Sequence, residues 1–265
     1  MIHIGTSGFS YDDWGGPFYP TGLPAAEQLA FYAREFSTVE VNATYYGVPP
    51  PRTLKAMADK TPPGFLFTVK AHQDMTHKRT DNTPVFEAFR LAMEPLQVVG
   101  KLGCVLAQFP FSFHATAENR GYLGEFAERM APLPWVAEFR NREWLSAETF
   151  AGLRRLGVGF CCVDEPRLPG LIPPVAEATS EIAYVRFHGR NAARWWEHKE
   201  AYERYDYTYK AEELAEWVPK VRALQEKAKD VYLFANNHYQ GQAVDTARQL
   251  ILMLGEGTNP QMSAD

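Results

Sequence analysis

Glu40, Glu138, Asp164 and His188 are the residues best suited by type to proton transfer, and each lies at or near the end of a short apolar run. The runs are Val39-Glu40-Val41-Asn42, Phe67-Thr68-Val69-Lys70, Val105-Leu106-Ala107-Gln108, Val136-Ala137-Glu138-Phe139-Arg140, Cys161-Cys162-Val163-Asp164, Val185-Arg186-Phe187-His188 and Leu233-Phe234-Ala235-Asn236-Asn237-His238. Ile2-His3-Ile4-Gly5-Thr6-Ser7 opens the chain in the same style. Lys70, Arg140 and Arg186 suit a phosphate or carboxylate, the arginines through bidentate pairing. Asn236 and Asn237 would orient hydroxyls on the same ligand, and Asn42, Gln108 and Tyr209 complete the substrate-binding set. Glu138 or Glu40 would act as general base and His188 as acid, with Asp164 completing the catalytic set. The chemistry expected is that of a hydrolase, lyase or isomerase acting on a polar, anionic or sugar-like small molecule.

Such a set needs elements that bring distant residues to one place. Side chains i and i+2 of a strand share a face. Glu40 therefore pairs with Asn42, Thr68 with Lys70, Glu138 with Arg140, and Arg186 with His188, while Val41, Val69, Phe139 and Phe187 face away. Helical stretches separate the runs, one starting near Pro24 with Leu29, Phe31, Tyr32 and Phe36 toward a core, one from Pro51, and others over about 84–100, 116–130, 146–156, 210–229 and 242–254. Strand ends recur at the period of (β/α) units, so the fold class expected is α/β, a single-domain TIM (β/α)8-type barrel over residues 1–254. Residues 164–181, with Pro166, Pro169, Pro173 and Pro174, are too proline-rich for a normal crossover helix after strand 6. After strand 7 an aromatic and charged insertion, 191–209, carries Trp195, Trp196, Tyr202, Tyr205, Tyr207 and Tyr209 and could lie over the mouth as a lid. The 72–83 stretch is expected to be a solvated loop, and 255–265 a disordered tail.

In that frame Glu40, Glu138 and Asp164 share one cavity with Lys70, Arg140 and Arg186, joined by His188, Gln108, Asn236 and Asn237. Each unpaired buried ion loses several kcal/mol of hydration, so so many charges together imply a ligand, or else an ion network that merely plugs the barrel.

The chain has 265 residues, 46% apolar and 22% charged, which is ordinary for a globular protein. Its net charge of −5 gives no whole-molecule attraction to nucleic acid or anionic membrane. Cys104, Cys161 and Cys162 lie in apolar runs without disulfide or metal spacing and read as buried thiols. The first strand begins at residue 2 and no apolar run approaches the roughly 18 residues that span a membrane, so a cytoplasmic location and no membrane partner are expected.

The opening Gly5-Thr6-Ser7-Gly8-Phe9-Ser10-Tyr11 with Trp14, Val39 to Asn42 with Tyr45-Tyr46, and Phe67 to Lys70 resemble the DUF72 (YecE-like) family of unknown function. Gln108-Phe109-Pro110, Glu138-Phe139-Arg140 with Trp144, Val163-Asp164, Tyr184 to Gly189, and Phe234 to Asn237 extend the resemblance over residues 1 to about 253. The resemblance implies a TIM barrel and supplies no reaction.

Two other readings stay open. Glu40, His72, Glu138, Asp164, His188 and His238 could hold divalent metal in a phosphodiesterase or endonuclease-like enzyme, although no HxH or HExxH spacing is present. Arg186, His188, Arg190, Arg194, His198 and Lys199 would be its basic patch for nucleic acid, a partner the acidic chain does not favour. No cofactor is expected in the preferred reading. The barrel could also be a ligand sensor or assembly factor without catalysis.

Overall fold

The computed structural model describes residues 1–255. Among them eight strands alternate with helices: β1 (Ile2–Thr6), α1 (Ala25–Glu35), β2 (Thr38–Val41), α2 (Pro51–Asp59), β3 (Leu66–Lys70), α3 (Thr83–Val98), β4 (Leu102–Gln108), α4 (Ala117–Met130), β5 (Trp135–Glu138), α5 (Ala147–Leu156), β6 (Gly159–Asp164), β7 (Ile182–Phe187), α6 (Ala211–Ala215), α7 (Val218–Gln225), β8 (Asp230–Ala235) and α8 (Gln242–Leu254). All neighbouring strands pair in parallel, in the order β1-β8-β7-β6-β5-β4-β3-β2. This is the expected barrel. Gly255 ends α8 in the left-handed conformation (φ 65°); the rest of the tail expected over 255–265 lies outside the described residues.

The strands are rich in Val, Phe and other residues that suit a pleated, half-buried surface. Their outward side chains, among them Val39, Phe67, Val69, Val105, Ala107 and Phe139, pack in one core with the inner faces of the helices. Local caps set the helix ends: Ser146 Oγ accepts the Thr149 amide and Gly157 (φ 68°) closes α5, while Thr116 caps α4 through the Asn119 amide.

The barrel closes between β1 and β2 by a bridge at Ser7 and Glu40, with Gly8 N donating to Glu40 O at 2.8 Å. Below that bridge the ladder is completed by a side chain. The Tyr32 hydroxyl, from α1, accepts from Thr6 N at 2.9 Å and donates to Thr38 O at 3.0 Å. Gly5 makes room for it, since a Cβ there would stand 2.9 Å from that hydroxyl and 2.2 Å from Thr38 O.

The helix expected over 210–229 is two helices. Pro219, at the second position of α7, supplies no amide to continue α6. The indole of Trp217 at the break donates to Asp164 Oδ2 at 2.7 Å. The proline-rich crossover is irregular, as expected. The 72–83 stretch is not a free loop: Asp74–Lys78 form a π-helical turn with Met75 and Thr76 buried.

Candidate active site at the barrel mouth

At the barrel's lower end Tyr184 and Phe234 meet inside in a tilted pair (centroids 5.2 Å, 39°), and the Tyr184 hydroxyl meets Thr68 Oγ1 at 2.9 Å. Above them Arg186, 2% exposed, crosses the barrel from β7. Its Nε donates to Glu40 Oε2 at 3.0 Å, its Nη2 to Glu40 Oε1 at 2.6 Å and its Nη1 to Glu138 Oε2 at 2.8 Å. Tyr184 also donates to Glu40 Oε2, at 2.7 Å. Burial works against both charges, yet the pairing outweighs it. Arg140, Arg186 and His188 hold the Glu138 carboxyl well below the usual range, and Glu138 and Glu40 hold Arg186 well above it.

His188 is fully buried in this network. Arg186 can only donate, so the Asn236 atom 3.3 Å from its Nη2 is Oδ1. The Asn236 amide Nδ2 then faces His188 Nδ1 at 3.0 Å, which must accept. The ring proton therefore sits on Nε2 and points at Glu138 Oε1, 3.1 Å away. Burial and the Arg140 charge push the imidazole pKa well down, so this neutral tautomer persists.

On this floor opens a cavity of about 750 Å³, lined at its base by Asn42, Lys70, Gln108, Arg140, Arg186 and Asn236. Its walls are Phe9, Tyr11, Tyr45, Tyr46, Tyr202, Tyr205 and His238. Tyr11 lies flat on His238 (4.5 Å, 2°) and donates to Ser7 O at 2.6 Å. The insertion does reach the mouth, through Glu200, Tyr202 and Tyr205. A side chamber of about 210 Å³ shares Gln108, Arg140 and Tyr205 with it and adds His77, Phe111, Trp195, Trp196 and Arg204.

Of the twelve candidates from sequence, the structure brings Asn42, Lys70, Gln108, Arg140, Arg186 and Asn236 to the cavity, and Glu40, Glu138 and His188 directly beneath it. Asp164, Tyr209 and Asn237 are elsewhere. Asp164 has the parity of Cys162, on the outer face of β6, where it accepts from Tyr209 Oη (2.7 Å) and Trp217 Nε1 (2.7 Å) and pairs with Arg190 (2.8 Å). Asn237 points away because Asn236 points in; its Nδ2 donates to Tyr207 O and Thr246 Oγ1. The inner carboxylate of β6 is the next residue. Glu165 accepts from Ile172 N at 3.1 Å and stands 3.5 Å from Arg140 Nη1, and burial pushes its pKa up to about 8. Parity counted from Cys161 would have found it; Tyr11 and Tyr46 stood in the motifs of the family resemblance but carried no sign of a place in the site.

Charges at the cavity floor do not balance, while Glu200 places a carboxylate at its rim. Glu40 and Glu138 oppose Lys70, Arg140 and Arg186, with His188 neutral and Glu165 mostly protonated near neutral pH. Lys70 Nζ lies over the Tyr45 ring at 4.6 Å and makes no hydrogen bond or ion pair with a described residue. Burial and the Arg186 charge lower its pKa to about 8. His77 is kept neutral, its pKa lowered to about 4 by burial and by Lys70. Asn42 Oδ1 is buried without a partner.

Comparison with known proteins is decisive for kinship. The family described as "Protein of unknown function DUF72" matches residues 3–264. The chain belongs to the DUF72 family. The UPF0759 protein YunF of Bacillus subtilis (strain 168) is 34% identical, over 96% of this chain and 95% of that protein. A DUF72 protein of Thermotoga maritima MSB8 superposes with a TM-score of 0.89 at 43% identity, covering 97% of this chain and 100% of that one. A DUF72 protein of Enterococcus faecalis V583 gives 0.86 at 28% identity, covering 98% and 97%.

Within this DUF72 chain the metal-ligand set suggested by sequence is split: Glu40, Glu138 and His188 are taken up by the Arg186 network, while Asp164 and His238 lie apart from it. Among the described residues no three His, Cys, Asp or Glu side chains form a group able to hold a metal ion. The basic patch is likewise taken apart: Arg186 and His188 are buried, Arg190 pairs with Asp164 and Glu216, and Arg194 with Glu203 at 3.7 Å. No helix among the described residues is long and apolar enough to cross a membrane.

Proposed function

We propose that the mouth binds a small polar molecule bearing an anionic group, phosphorylated or sugar-like, and acts on it by proton transfer. The observation that carries this reading is the excess of cationic groups at the cavity floor: Lys70 has no acceptor among the described residues, and Arg140 leans on one ionised carboxylate and one mostly protonated carboxyl. An anion between Lys70 and Arg140 would complete the charge balance that the protein leaves open. The tyrosine walls suit the face of a sugar ring, and the orphaned Asn42 Oδ1 suits a hydroxyl donor.

Proton transfer in this reading belongs to Lys70, whose lowered pKa places it near neutrality. Glu40, held by Arg186 and Tyr184, lies beneath it with Glu138 and His188, whose protonation is fixed by Arg140, Arg186 and burial. A titration with ribose 5-phosphate and glucose 6-phosphate against ribose and glucose tests the reading. The phosphorylated sugars should bind at least ~10-fold more tightly, and Lys70→Met or Arg140→Met should each remove most of that difference, a loss of ~1.4 kcal/mol or more. Equal affinity for charged and neutral sugars, or no binding of either, would reject it.

A further inference from the structure

We propose that Lys70 is a covalent catalyst whose amine adds to an aldehyde or ketone of the bound anionic molecule to form an imine. The inference rests on the anion-binding reading above and narrows its substrate to carbonyl compounds, such as the open-chain form of a phosphorylated sugar.

Lys70 ends β3 on the inner face of the barrel and lines the cavity. A lysine placed to neutralise carboxylates would pair with one. Both carboxylates within the floor are already taken, Glu40 by Arg186 and Tyr184, and Glu138 by Arg140, Arg186 and His188. The ammonium is left buried beside the Arg186 and Arg140 guanidinium groups, a setting that favours the neutral amine and outweighs the contact with the Tyr45 face, which by itself favours the cation. With a pKa of about 8, roughly a tenth of the side chain is free amine at pH 7, against a few parts in ten thousand for an ordinary lysine. The other nucleophile types nearby are unsuited: Cys104 and Cys161 are buried below the ion network, with burial driving their pKa values well up.

The chemistry balances without an oxidant or reductant. The Nζ lone pair attacks the carbonyl carbon and a C–N bond forms. The C=O π pair moves to oxygen, which takes a proton, giving a carbinolamine. The nitrogen then gives up a proton to water in the open cavity, and its lone pair forms the C=N bond as the hydroxyl leaves, protonated, as water. The imine that results is protonated near neutral pH. Arg140, at the same floor, holds the anionic end and so presents the carbonyl to the amine. Water reverses the sequence.

Reductive trapping tests this. The full chain is incubated with glyceraldehyde 3-phosphate and sodium cyanoborohydride, and adducts are located by peptide mass spectrometry. Expected is one adduct per chain on Lys70, forming at least tenfold faster than on any surface lysine, with a rate that levels off above pH 8. Arg140→Met should slow labelling by glyceraldehyde 3-phosphate several-fold more than labelling by uncharged glyceraldehyde. Lys70→Arg, which keeps the charge, should lose the adduct and retain a native unfolding profile. Labelling spread over many lysines, or a Lys70 rate that keeps climbing towards pH 10, overturns the proposal. If sugar phosphates still bind in a Lys70- and Arg140-dependent way while no Lys70 adduct forms, the covalent step falls and the binding reading stands. If neither binding nor adduct occurs, both fall.

Discussion

Arg186 reaches Glu40 through Nε and Nη2 and Glu138 through Nη1, so its charge is cancelled inside the protein and only its edge meets the cavity. Removing it leaves two buried carboxylates short of their main partner. Arg186→Met is expected to cost about 3–5 kcal/mol in urea unfolding. In a Glu40→Gln background the same change should cost clearly less, because fewer carboxylate charges are then orphaned; equal costs in both backgrounds would show that the pairs do not interact. The pairing of Glu40 with Asn42, Glu138 with Arg140 and Arg186 with His188 was legible from alternation alone. Asp164 was misplaced because it was read as the end of a run and not by its parity, and Glu165 was missed for the same reason. Nor could sequence reveal that His188 is locked neutral, since that follows from Asn236 and Arg186 meeting it from other strands.

The elements that hold the site were legible where each is regular and self-contained. Apolar runs with helical spacers point to eight parallel strands, and the proline-rich crossover reads as irregular because it has few amides to give. What escapes is contact between elements. The Tyr32 hydroxyl, two turns into a helix, stands in for a strand hydrogen bond at the β1–β2 seam. Tyr32→Phe should leave Thr6 N–H and Thr38 C=O without that partner and lower stability by about 1–3 kcal/mol. Hydrogen exchange at the Thr6 amide should accelerate more than at amides of β4; uniform acceleration would mean that the seam has no special dependence on Tyr32. Similarly, Asp164 ties β6 to Tyr209, to Trp217 between α6 and α7, and to Arg190 at the root of the insertion. Asp164→Asn should speed proteolytic cleavage within 191–209 while leaving ribose 5-phosphate affinity within about twofold. A collapse of affinity equal to that of Lys70→Met would place Asp164 back in the site.

For the molecule as a whole, burying ionisable groups beneath an open mouth makes stability depend on pH in a way the net charge of −5 does not foretell. Glu165 has a folded pKa of about 8 against an ordinary 4.5. The folded state therefore binds its proton more tightly, and this contribution is fully present below about pH 4.5 and is lost as pH rises through 8. At ~1.4 kcal/mol per pKa unit the full swing is of the order of 5 kcal/mol. Lys70 works in the opposite direction and higher up: its folded pKa of about 8 lies below the ordinary 10.5, so stability is regained as pH rises from 8 towards 10.5. Comparing wild type with Glu165→Gln cancels Lys70 and every other shared group. The amide does not titrate, so wild type should lose stability relative to Glu165→Gln by several kcal/mol between pH 5 and pH 9, with most of the fall before pH 8. Urea unfolding at fixed ionic strength across that range measures it. Parallel curves for the two proteins would mean that Glu165 titrates normally, through its Arg140 contact or solvent access, and that the excess positive charge assigned to the mouth is one unit too large.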